Sequence, residues 1–349
     1  MKMPEEPGPT DPADSPQARP IGWIVPLEPP LRADLALKKI HLELLRRISA
    51  NEQGVSAALG GEYLHDFRVA LRRTRTGLRQ LKRVYPRDVA KRFTAEFSWL
   101  SSTTNAARDV EVFLASLELY RADLGNDTID ALAPHTGLLR DHQRIERTRC
   151  TDALASGRYR SMMASWRRFL EQAPKLPDLP GLPGLPAPPD LKNAPENASR
   201  PISEVAAERI HKAYCRVAAR GAEMQLASAA DAFHRLRLDC KKLRYLLEFF
   251  GQLFDGEQSM QTIVTLRQTQ DSLGAINDLR VQADWLARLP DPPTAATRRL
   301  AAYLGERQQA ERSAFLDRFA AFIENHNETT LRRFLATTEA RISQRVAPP

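Results

Sequence analysis

The sequence of 349 residues has little cysteine, few aromatic residues and no long apolar run. Its three cysteines, Cys150, Cys215 and Cys240, form no C-x-x-C pair, which argues against a disulfide framework and against a zinc site. No segment approaches the roughly 18 apolar residues that a membrane span needs, and the first residues are acidic and proline-rich where a signal peptide would be apolar. We therefore expect a cytoplasmic protein in a reducing compartment, with no metal, cofactor or membrane partner.

Basic residues are concentrated in two short segments. The chain has 51 Lys and Arg against 43 Asp and Glu, a net charge of +8. Residues 65–83 hold seven basic residues and one acid, a net +6, and residues 234–248 hold five basic residues and two acids, a net +3. These 34 residues sum to +9, so the other 315 sum to −1. The distribution predicts a localised anion site and not a generally positive surface.

Proline divides the chain into a tail, two folded halves and a linker. Of the 25 prolines, nine lie in residues 1–30 and nine in residues 174–201, where they interrupt helices and strands. We predict a disordered Pro-rich tail over 1–30, a first helical bundle over 31–173, a Pro-rich linker over 174–199 and a second helical bundle over 200–345.

Apolar residues outside the tail and linker recur at spacings of three and four, which is typical of an all-α protein. This spacing predicts twelve helices, with breaks near residues 104–107 and 273–276. The last of them is predicted over residues 328–345.

The two halves look like copies of each other. At an offset of 169, Leu64-His65-x-x-Arg68-x-x-x-Arg72-Arg73-x-Arg75 falls on Phe233-His234-x-x-Arg237-x-x-x-Lys241-Lys242-x-Arg244. At the same offset, Asn105-Ala106-Ala107-Arg108-Asp109-Val110 falls on Gly274-Ala275-Ile276-Asn277-Asp278-Leu279. The repeat predicts two pseudo-symmetric antiparallel helical bundles from an internal duplication, packed around a central basic groove or pore.

Each copy carries one basic stripe along a helix. On a helical wheel the stripe of the first copy falls within roughly 80° of its histidine, and consists of His65, Arg68, Arg72, Arg75, Arg79 and Arg83. Leu64, Phe67, Leu71 and Leu78 lie on the adjoining side of the wheel, so a helix packed on this apolar face holds its cations along the edge of the packed surface. The second copy repeats the geometry with His234, Arg237, Lys241 and Arg244. Like charges at these spacings destabilise a helix by roughly 0.2–0.5 kcal/mol per pair, so the stripes favour an anionic ligand. Arginine forks match phosphate oxygens in pairs, and we expect the two histidines to donate to phosphate as well.

These motifs resemble the CHAD domain, whose name expands to conserved histidine alpha-helical domain. The resemblance covers roughly residues 32–345 and rests on LHDFRVALRRTRTGL, FHRLRLDCKKLRYLLEFF, NAARDVEVF and LGAINDLRV. It implies two helical bundles around a basic channel that binds inorganic polyphosphate without catalysis. The implied ligand contacts are His65, Arg68, Arg72, Arg75, His234, Arg237, Lys241 and Arg244. Implied secondary contacts on neighbouring helices are Lys39, Arg46, Arg216 and Arg307.

The resemblance carries two qualifications. Some members of the family attach to polyhydroxyalkanoate granules, which adds a granule surface as a partner to test. This chain also departs from the idealised pattern, because Arg235 stands where the first copy has Asp66, and Asn277 stands where the first copy has Arg108. Ligand contacts at those positions are therefore not expected.

A phosphohydrolase or a phosphotransfer histidine protein is one alternative function. His65-Asp66 looks like the dipeptide of metal-dependent phosphohydrolases, but the second copy has His234-Arg235. Those sites need further His and Asp ligands at facing positions, and no P-loop or Gly-rich nucleotide lid follows. We therefore expect a protein without enzyme activity.

A nucleic-acid-binding protein is the closer alternative, because any extended phosphate chain fits a row of arginines. Binders of single strands normally interleave several aromatic residues for stacking on the bases. The second stripe has only Tyr245 among its basic positions, and the first has only Tyr85 beyond its end. We expect inorganic polyphosphate as the partner and not nucleic acid.

Overall fold

The structure, a computed structural model, describes residues 25–57, 59, 61–172, 195–254, 256–289 and 292–325. These ranges hold ten α-helices and one 3-10 turn, Gly251–Leu253, and contain no strand. The helices are α1 (Ala33–Ser56), α2 (Gly61–Gln80), α3 (Arg87–Leu124), α4 (Asn126–Asp130), α5 (Ala133–Ala155), α6 (Gly157–Glu171), α7 (Ile202–Ala222), α8 (Ala230–Phe250), α9 (Gly256–Leu286) and α10 (Ala295–Asn325). The prediction of an all-α protein is confirmed.

Several sequence predictions concern residues that lie outside the described ranges. Most of the predicted tail and linker, and the predicted helix over 328–345, are among them. The division into bundles over 31–173 and 200–345 stays a prediction. No helix within the described ranges is both long enough and apolar enough to cross a membrane.

Two predicted helix breaks are wrong, because α3 and α9 run without interruption. In α3 the run of Ser and Thr before residue 105 does not end the helix, since Ser101 Oγ and Thr104 Oγ1 donate to carbonyls one turn earlier, at 2.8 and 3.0 Å. In α9, Gly274 costs a helix only about 1 kcal/mol, and its neighbours Leu273 and Ile276 are buried. Hydrogen bonding and burial therefore outweigh the local signals for a break.

Helix α2 is positioned by the apolar face that the sequence predicts. Leu64, Phe67, Leu71 and Leu78 are all buried, and the helix packs between α1 and α3. Arg68, Arg72 and Arg75 of the stripe lie beside this face and are half-buried at its edge, whereas Arg79 is exposed. The predicted position of the cations along the border of the packed surface is confirmed for α2.

One hydrophobic core joins helices from both halves of the chain. It includes Phe67 and Trp166 from the first half and Phe233 and Phe315 from the second. A smaller apolar cluster packs α3 against α9 and α10. As a consequence, α2 contacts α8 and α3 contacts α9, which are the helices that carry the repeated motifs.

The first helix of each half begins on backbone carbonyls of the other half. Ala33 N and Asp34 N at the start of α1 donate to Arg200 O and Ala198 O, at 2.9 and 3.1 Å. Ile202 N at the start of α7 donates to Leu31 O at 2.8 Å. Neither helix has a side-chain N-cap, so these bonds satisfy amides that a helix start leaves unpaired.

Candidate anion-binding site

The contact between α2 and α8 brings the two basic stripes together. Arg72 Nε on α2 donates to Tyr245 Oη on α8 at 3.5 Å. Arg73 Nη2 on α2 donates to Glu248 Oε2 on α8 at 2.6 Å. The guanidinium of Arg244 lies 4.8 Å from the centre of the Tyr245 ring, a cation–π arrangement. Segments more than 170 residues apart in sequence therefore meet around Tyr245.

We call Arg72, Arg237, Lys241 and Arg244 the cation cluster. Arg72 comes from α2 and the other three from α8, and all four side chains are half-buried. Within the described ranges no carboxylate lies within 4.0 Å of Arg72, Arg237 or Lys241, whereas Arg244 pairs with Glu248. Partly desolvated cations without an acid are unfavourable, so the cluster is suited to an external anion.

Three guanidinium groups along the stripes carry buried nitrogen atoms that have no partner. The Nε atoms of Arg68, Arg75 and Arg237 are buried and make no hydrogen bond to any described residue. Buried donors in proteins are nearly always paired. These unpaired donors lie along the two stripes and are covered by protein atoms.

The pKa of Lys241 is affected by charges from both stripes. Burial is the first cause that lowers the pKa of Lys241, which falls to about 7. The positive charges of Arg237, Arg72 and Arg244 act in the same direction, and Asp278 opposes them. Because Arg72 belongs to the other half of the chain, the effect is an interaction between the halves.

Arg68 remains a cation at neutral pH although it is half-buried. Burial, followed by the charge of Arg72, lowers its pKa to about 10, and Asp109 acts in the opposite direction. Arg68 Nη1 donates to Asn105 Oδ1 at 2.9 Å and to the carbonyl of Thr104. These two acceptors are uncharged, so the positive charge of Arg68 is not neutralised by them.

Two repeated aspartates, Asp109 on α3 and Asp278 on α9, lie near the cation cluster. Burial raises the pKa of Asp109, and the charge of Asp278 raises it as well, while Arg68 and Arg237 lower it. Neither aspartate caps a helix, since both lie inside helices. Among the described residues no Lys or Arg lies within 4.0 Å of either one. They influence the cluster at longer range.

The two histidines differ in their surroundings. His65 is exposed near the start of α2, and His234 on α8 is half-buried. The Nδ1 atom of His234 lies 3.2 Å from Asn277 Oδ1, and Asn277 Nδ2 donates to Asp278 Oδ1 at 3.3 Å. Since the Asp278 carboxylate accepts the amide protons, the Asn277 oxygen faces His234, and Nδ1 carries the proton. This leaves His234 Nε2 for another partner.

Asn277 therefore has a role that the sequence analysis missed. Its difference from Arg108 suggested only a lost ligand contact, whereas it orients a histidine of the predicted site. Asn277 lies immediately before the repeated Asp278, and this position was the available signal for its contact with His234.

Glu248 is a second residue that the sequence analysis did not single out. Its carboxylate accepts from Arg73 at 2.6 Å, from Arg244 at 2.7 Å and from Arg267 at 3.3 Å. Burial alone would raise the pKa of Glu248, but the surrounding arginines together lower it. Glu248 stands at the position of Arg79 in the first copy, and this charge reversal was the available signal.

The remaining predicted residues lie further along the stripe or on other helices. Arg79 is exposed, and its Nη2 lies 3.5 Å from Ser98 Oγ. Arg83 is wrongly placed in the stripe, because α2 ends at Gln80 and Arg83 has a φ of 61° and pairs with Glu196.

The four secondary contacts implied by the resemblance are not joined to the cation cluster by hydrogen bonds or ion pairs within the described residues. Lys39 is exposed on α1, and Arg46 pairs with Glu43 at 3.3 Å. Arg216 lies 4.0 Å from Asp239, and Arg307 lies 3.4 Å from Asp123. Their contact with a ligand stays a prediction.

The site offers chemistry for binding anions. No group of three or more His, Cys, Asp or Glu side chains in the described part of the chain is arranged to hold a metal ion. Basic side chains outnumber acidic ones where α2 and α8 meet. Guanidinium groups bind phosphate oxygens in pairs.

Comparison with known proteins identifies similar sequences and folds. The profile of the CHAD domain matches residues 39–287. The crystal structure of the CHAD domain from the plant Ricinus communis is 28% identical with a TM-score of 0.68, over 86% of this chain and 94% of that one. PptA from Streptomyces chartreusis is 19% identical with a TM-score of 0.56, over 83% of this chain and 98% of that one, a likeness of fold alone. No curated protein matches the chain.

Proposed function

Because the chain belongs to the CHAD-domain family, we propose that it binds inorganic polyphosphate, without catalysis, on the cation cluster and the flanking residues of both stripes. The observation that carries the proposal is the meeting of Arg72 with Arg237 and Lys241, with no carboxylate within 4.0 Å of any of the three among the described residues. A polyanion would neutralise this repulsion and stabilise the fold on binding.

The proposed ligand path follows the stripes on α2 and α8. Arg68 and Arg75 extend the cluster on α2, and Arg237 brings a buried unpaired Nε from α8. We propose that the two halves are pseudo-symmetric and that the chain of phosphates lies in a groove between them, in contact with His65 and His234 at the heads of the stripes. The contacts of α2 with α8 and of α3 with α9 support this arrangement.

The choice of polyphosphate over nucleic acid rests on the aromatic residues. Tyr245 and Tyr85 are both buried, and the Tyr245 hydroxyl is a hydrogen-bond partner of Arg72. A buried ring cannot serve as a platform on which successive bases stack. The cluster therefore supplies phosphate contacts without base contacts.

The site of action is part of the same proposal. We propose a cytoplasmic protein that reaches polyphosphate deposits, with the surface of polyhydroxyalkanoate granules as a second place of attachment. Fluorescently tagged protein that colocalises with polyphosphate deposits supports the first part, and a coat of tagged protein on polyester inclusions supports the second. Uniform fluorescence in cells that contain both contradicts the proposed site of action.

The decisive experiment is calorimetric titration with polyphosphates of defined length, beside pyrophosphate and single-stranded DNA. We expect the affinity for polyphosphate to rise with its chain length. In a separate competition assay, we expect excess single-stranded DNA to fail to displace labelled polyphosphate. Affinity should also fall as salt is added. By analogy with single-stranded nucleic acids, the logarithm of the binding constant should decrease with the logarithm of the salt concentration, with a slope of about 0.7 per neutralised phosphate. Ready displacement by DNA would favour the nucleic-acid alternative, and release of inorganic phosphate would favour the enzyme alternative.

A pair of matched variants locates the site. Arg72→Glu with Lys241→Glu should abolish binding while circular dichroism shows retained helicity. Arg144→Glu with Arg167→Glu makes the same number of basic-to-acidic changes at exposed positions of α5 and α6, and should leave the affinity within about twofold of wild type, since exposed surface charges are screened. Equal losses in both doubles would show that net charge, and not this site, governs binding.

A further inference from the structure

We infer that Lys241 is a site of covalent acylation by small acyl phosphates, whose phosphoryl group is bound by the guanidinium groups around it. In this reaction the protein is the substrate and not the catalyst, and the modification is distinct from reversible binding of polyphosphate. Its reagent is defined by two chemical parts, a phosphate that the arginines recognise and an acyl carbon that an amine can attack.

Two adjacent lysines on α8 provide the structural contrast. Lys242 Nζ donates to Asp239 Oδ1 at 2.7 Å, and that carboxylate is only 2% exposed. Lys241 makes no hydrogen bond or ion pair with any described residue. The amine of Lys242 is therefore committed to a buried acid, whereas the amine of Lys241 is available for reaction.

The groups that face Lys241 come from three helices. Arg237 and Arg244 lie four residues before and three residues after Lys241 on α8, and therefore on the same face of the helix. Arg72 lies on α2, which packs against α8, and Asp278 on α9 is the opposing charge.

Arg237 keeps a buried Nε without a partner. Arg244 is already engaged by Glu248 and Gln270, so Arg72 and Arg237 are the guanidinium groups without a carboxylate within 4.0 Å among the described residues. These two groups form a binding site for a phosphoryl group next to the amine.

The same surroundings favour the reactive form of the amine. Burial and the neighbouring cations lower the pKa of Lys241 to about 7, so a large share of the amine is neutral at neutral pH. Neighbouring positive charge and desolvation are known means of activating a lysine nucleophile. The cations also stabilise the negative charge of a departing phosphate.

The reaction balances without a further reactant. The lone pair of Lys241 Nζ attacks the carbonyl carbon of the acyl phosphate, a C–N bond forms, and the C–O bond to the phosphate breaks. Inorganic phosphate leaves with the electron pair of that bond, and one amine proton passes to the phosphate or to water. The product is a neutral amide, so Lys241 can no longer take up a proton and add a positive charge to the cluster.

The test uses acetyl phosphate on the full-length protein at pH 7.5, without polyphosphate, and measures acetylation of each lysine by peptide mass spectrometry. We expect Lys241 to react at least about tenfold faster than Lys242, because its amine is largely neutral and unpaired. At acetyl phosphate concentrations well below saturation the rate reflects the ligand-free protein, in which the pKa of Lys241 is about 7, and it should level off above about pH 8. Equal rates at Lys241 and Lys242 would overturn the inference.

Two controls separate recognition of the phosphate from simple reactivity. The N-hydroxysuccinimide ester of acetic acid carries no phosphate, and it should show a preference for Lys241 several-fold smaller than acetyl phosphate does. Inorganic phosphate should slow acetylation of Lys241 by acetyl phosphate in the wild-type protein and leave Lys242 unaffected. The same preference with both reagents, or no competition by phosphate, would refute the assignment of a phosphate-guided site.

The outcome is distinguishable from failure of the proposed function, because no polyphosphate enters the experiment. Acetylation of Lys241 without polyphosphate binding would retain this inference and remove the proposed function. Polyphosphate binding without selective acetylation would do the reverse.

Discussion

Arg73 on α2 donates to Glu248 on α8 at 2.6 Å, and this ion pair joins residues 175 positions apart in the chain. Both side chains are largely buried, with 11% and 4% of their surfaces exposed. Arg244 and Arg267 donate to the same carboxylate. Glu248 thus links α2, α8 and α9 through one buried acid.

Replacement of Glu248 by Gln should lower the free energy of unfolding by about 3 kcal/mol, because it leaves buried arginines without their counter-charge. Urea denaturation followed by circular dichroism measures the change. Glu43→Gln is the control, since Glu43 pairs with two exposed arginines at an i,i+3 and an i,i+4 spacing, and it should cost no more than about 1 kcal/mol. Similar losses in both variants would show that the buried pair has no special weight.

Polyphosphate affinity should decrease as the pH rises through the titration of Lys241. The pKa of this lysine is about 7 in the ligand-free protein, and a bound polyanion raises it. Between the two values binding takes up a proton, so affinity falls by up to about tenfold per pH unit. Calorimetry in buffers of different ionisation enthalpy measures the proton uptake.

Lys241→Arg is the matched variant for that measurement, because its guanidinium stays charged across the range. Its affinity should vary less with pH than that of the wild type. An unchanged profile in Lys241→Arg would exclude Lys241 as the titrating group.

Replacement of Lys241 by Met should stabilise the ligand-free protein by about 1 kcal/mol at pH 6. The folded-state pKa lies below the ordinary value of 10.5, so the lysine destabilises the fold at every pH at which the unfolded chain holds the proton. The gain should be full below about pH 7 and disappear as the pH approaches 10.5. Thermal unfolding at pH 6, 8 and 10 measures this trend.

Lys242→Met supplies the opposite result. It removes a donor from the buried Asp239 carboxylate and should destabilise the protein at pH 6. If both variants shift the melting temperature in the same direction, the difference in environment between the two lysines is not as described.

Replacement of Asn277 by Leu should change the tautomer of His234. The wild-type ring carries a proton on Nδ1, which faces the Asn277 oxygen at 3.2 Å, and the variant removes this acceptor. Nitrogen-15 NMR of the histidine rings should show the proton moving toward Nε2, while the His65 signals serve as the internal control. A His234 spectrum that does not change would mean that Asn277 does not orient the ring.

The sequence was sufficient for features that depend on local periodicity. The helical stripe of α2 and its buried face of Leu64, Phe67, Leu71 and Leu78 follow from a spacing of 3.6 residues per turn. The likeness of residues 64–75 and 233–244 also indicated that α2 and α8 belong to corresponding places in the fold, and the two helices are in contact.

Features that depend on distant partners could not be predicted in this way. Glu248, four residues after Arg244, has the spacing of an ordinary helical ion pair, and nothing in its neighbourhood shows that Arg73 will join it. The Ser and Thr run in α3 looks like the end of a helix until its hydroxyls are seen to bond the preceding turn. Arg83 has the helical spacing of the stripe residues, but α2 ends at Gln80, before Arg83.

The exchange of backbone bonds between the starts of α1 and α7 bears on how the protein can be divided. The carbonyl of Leu31 accepts from the amide of Ile202, and the carbonyl of Arg200 accepts from the amide of Ala33. The segment before α1 therefore supplies an acceptor to the start of α7, and the segment before α7 supplies one to the start of α1. A fragment cut between them would fray at its own beginning as well as lose its neighbour. Both segments therefore have to be present for either helix start to keep its backbone acceptors.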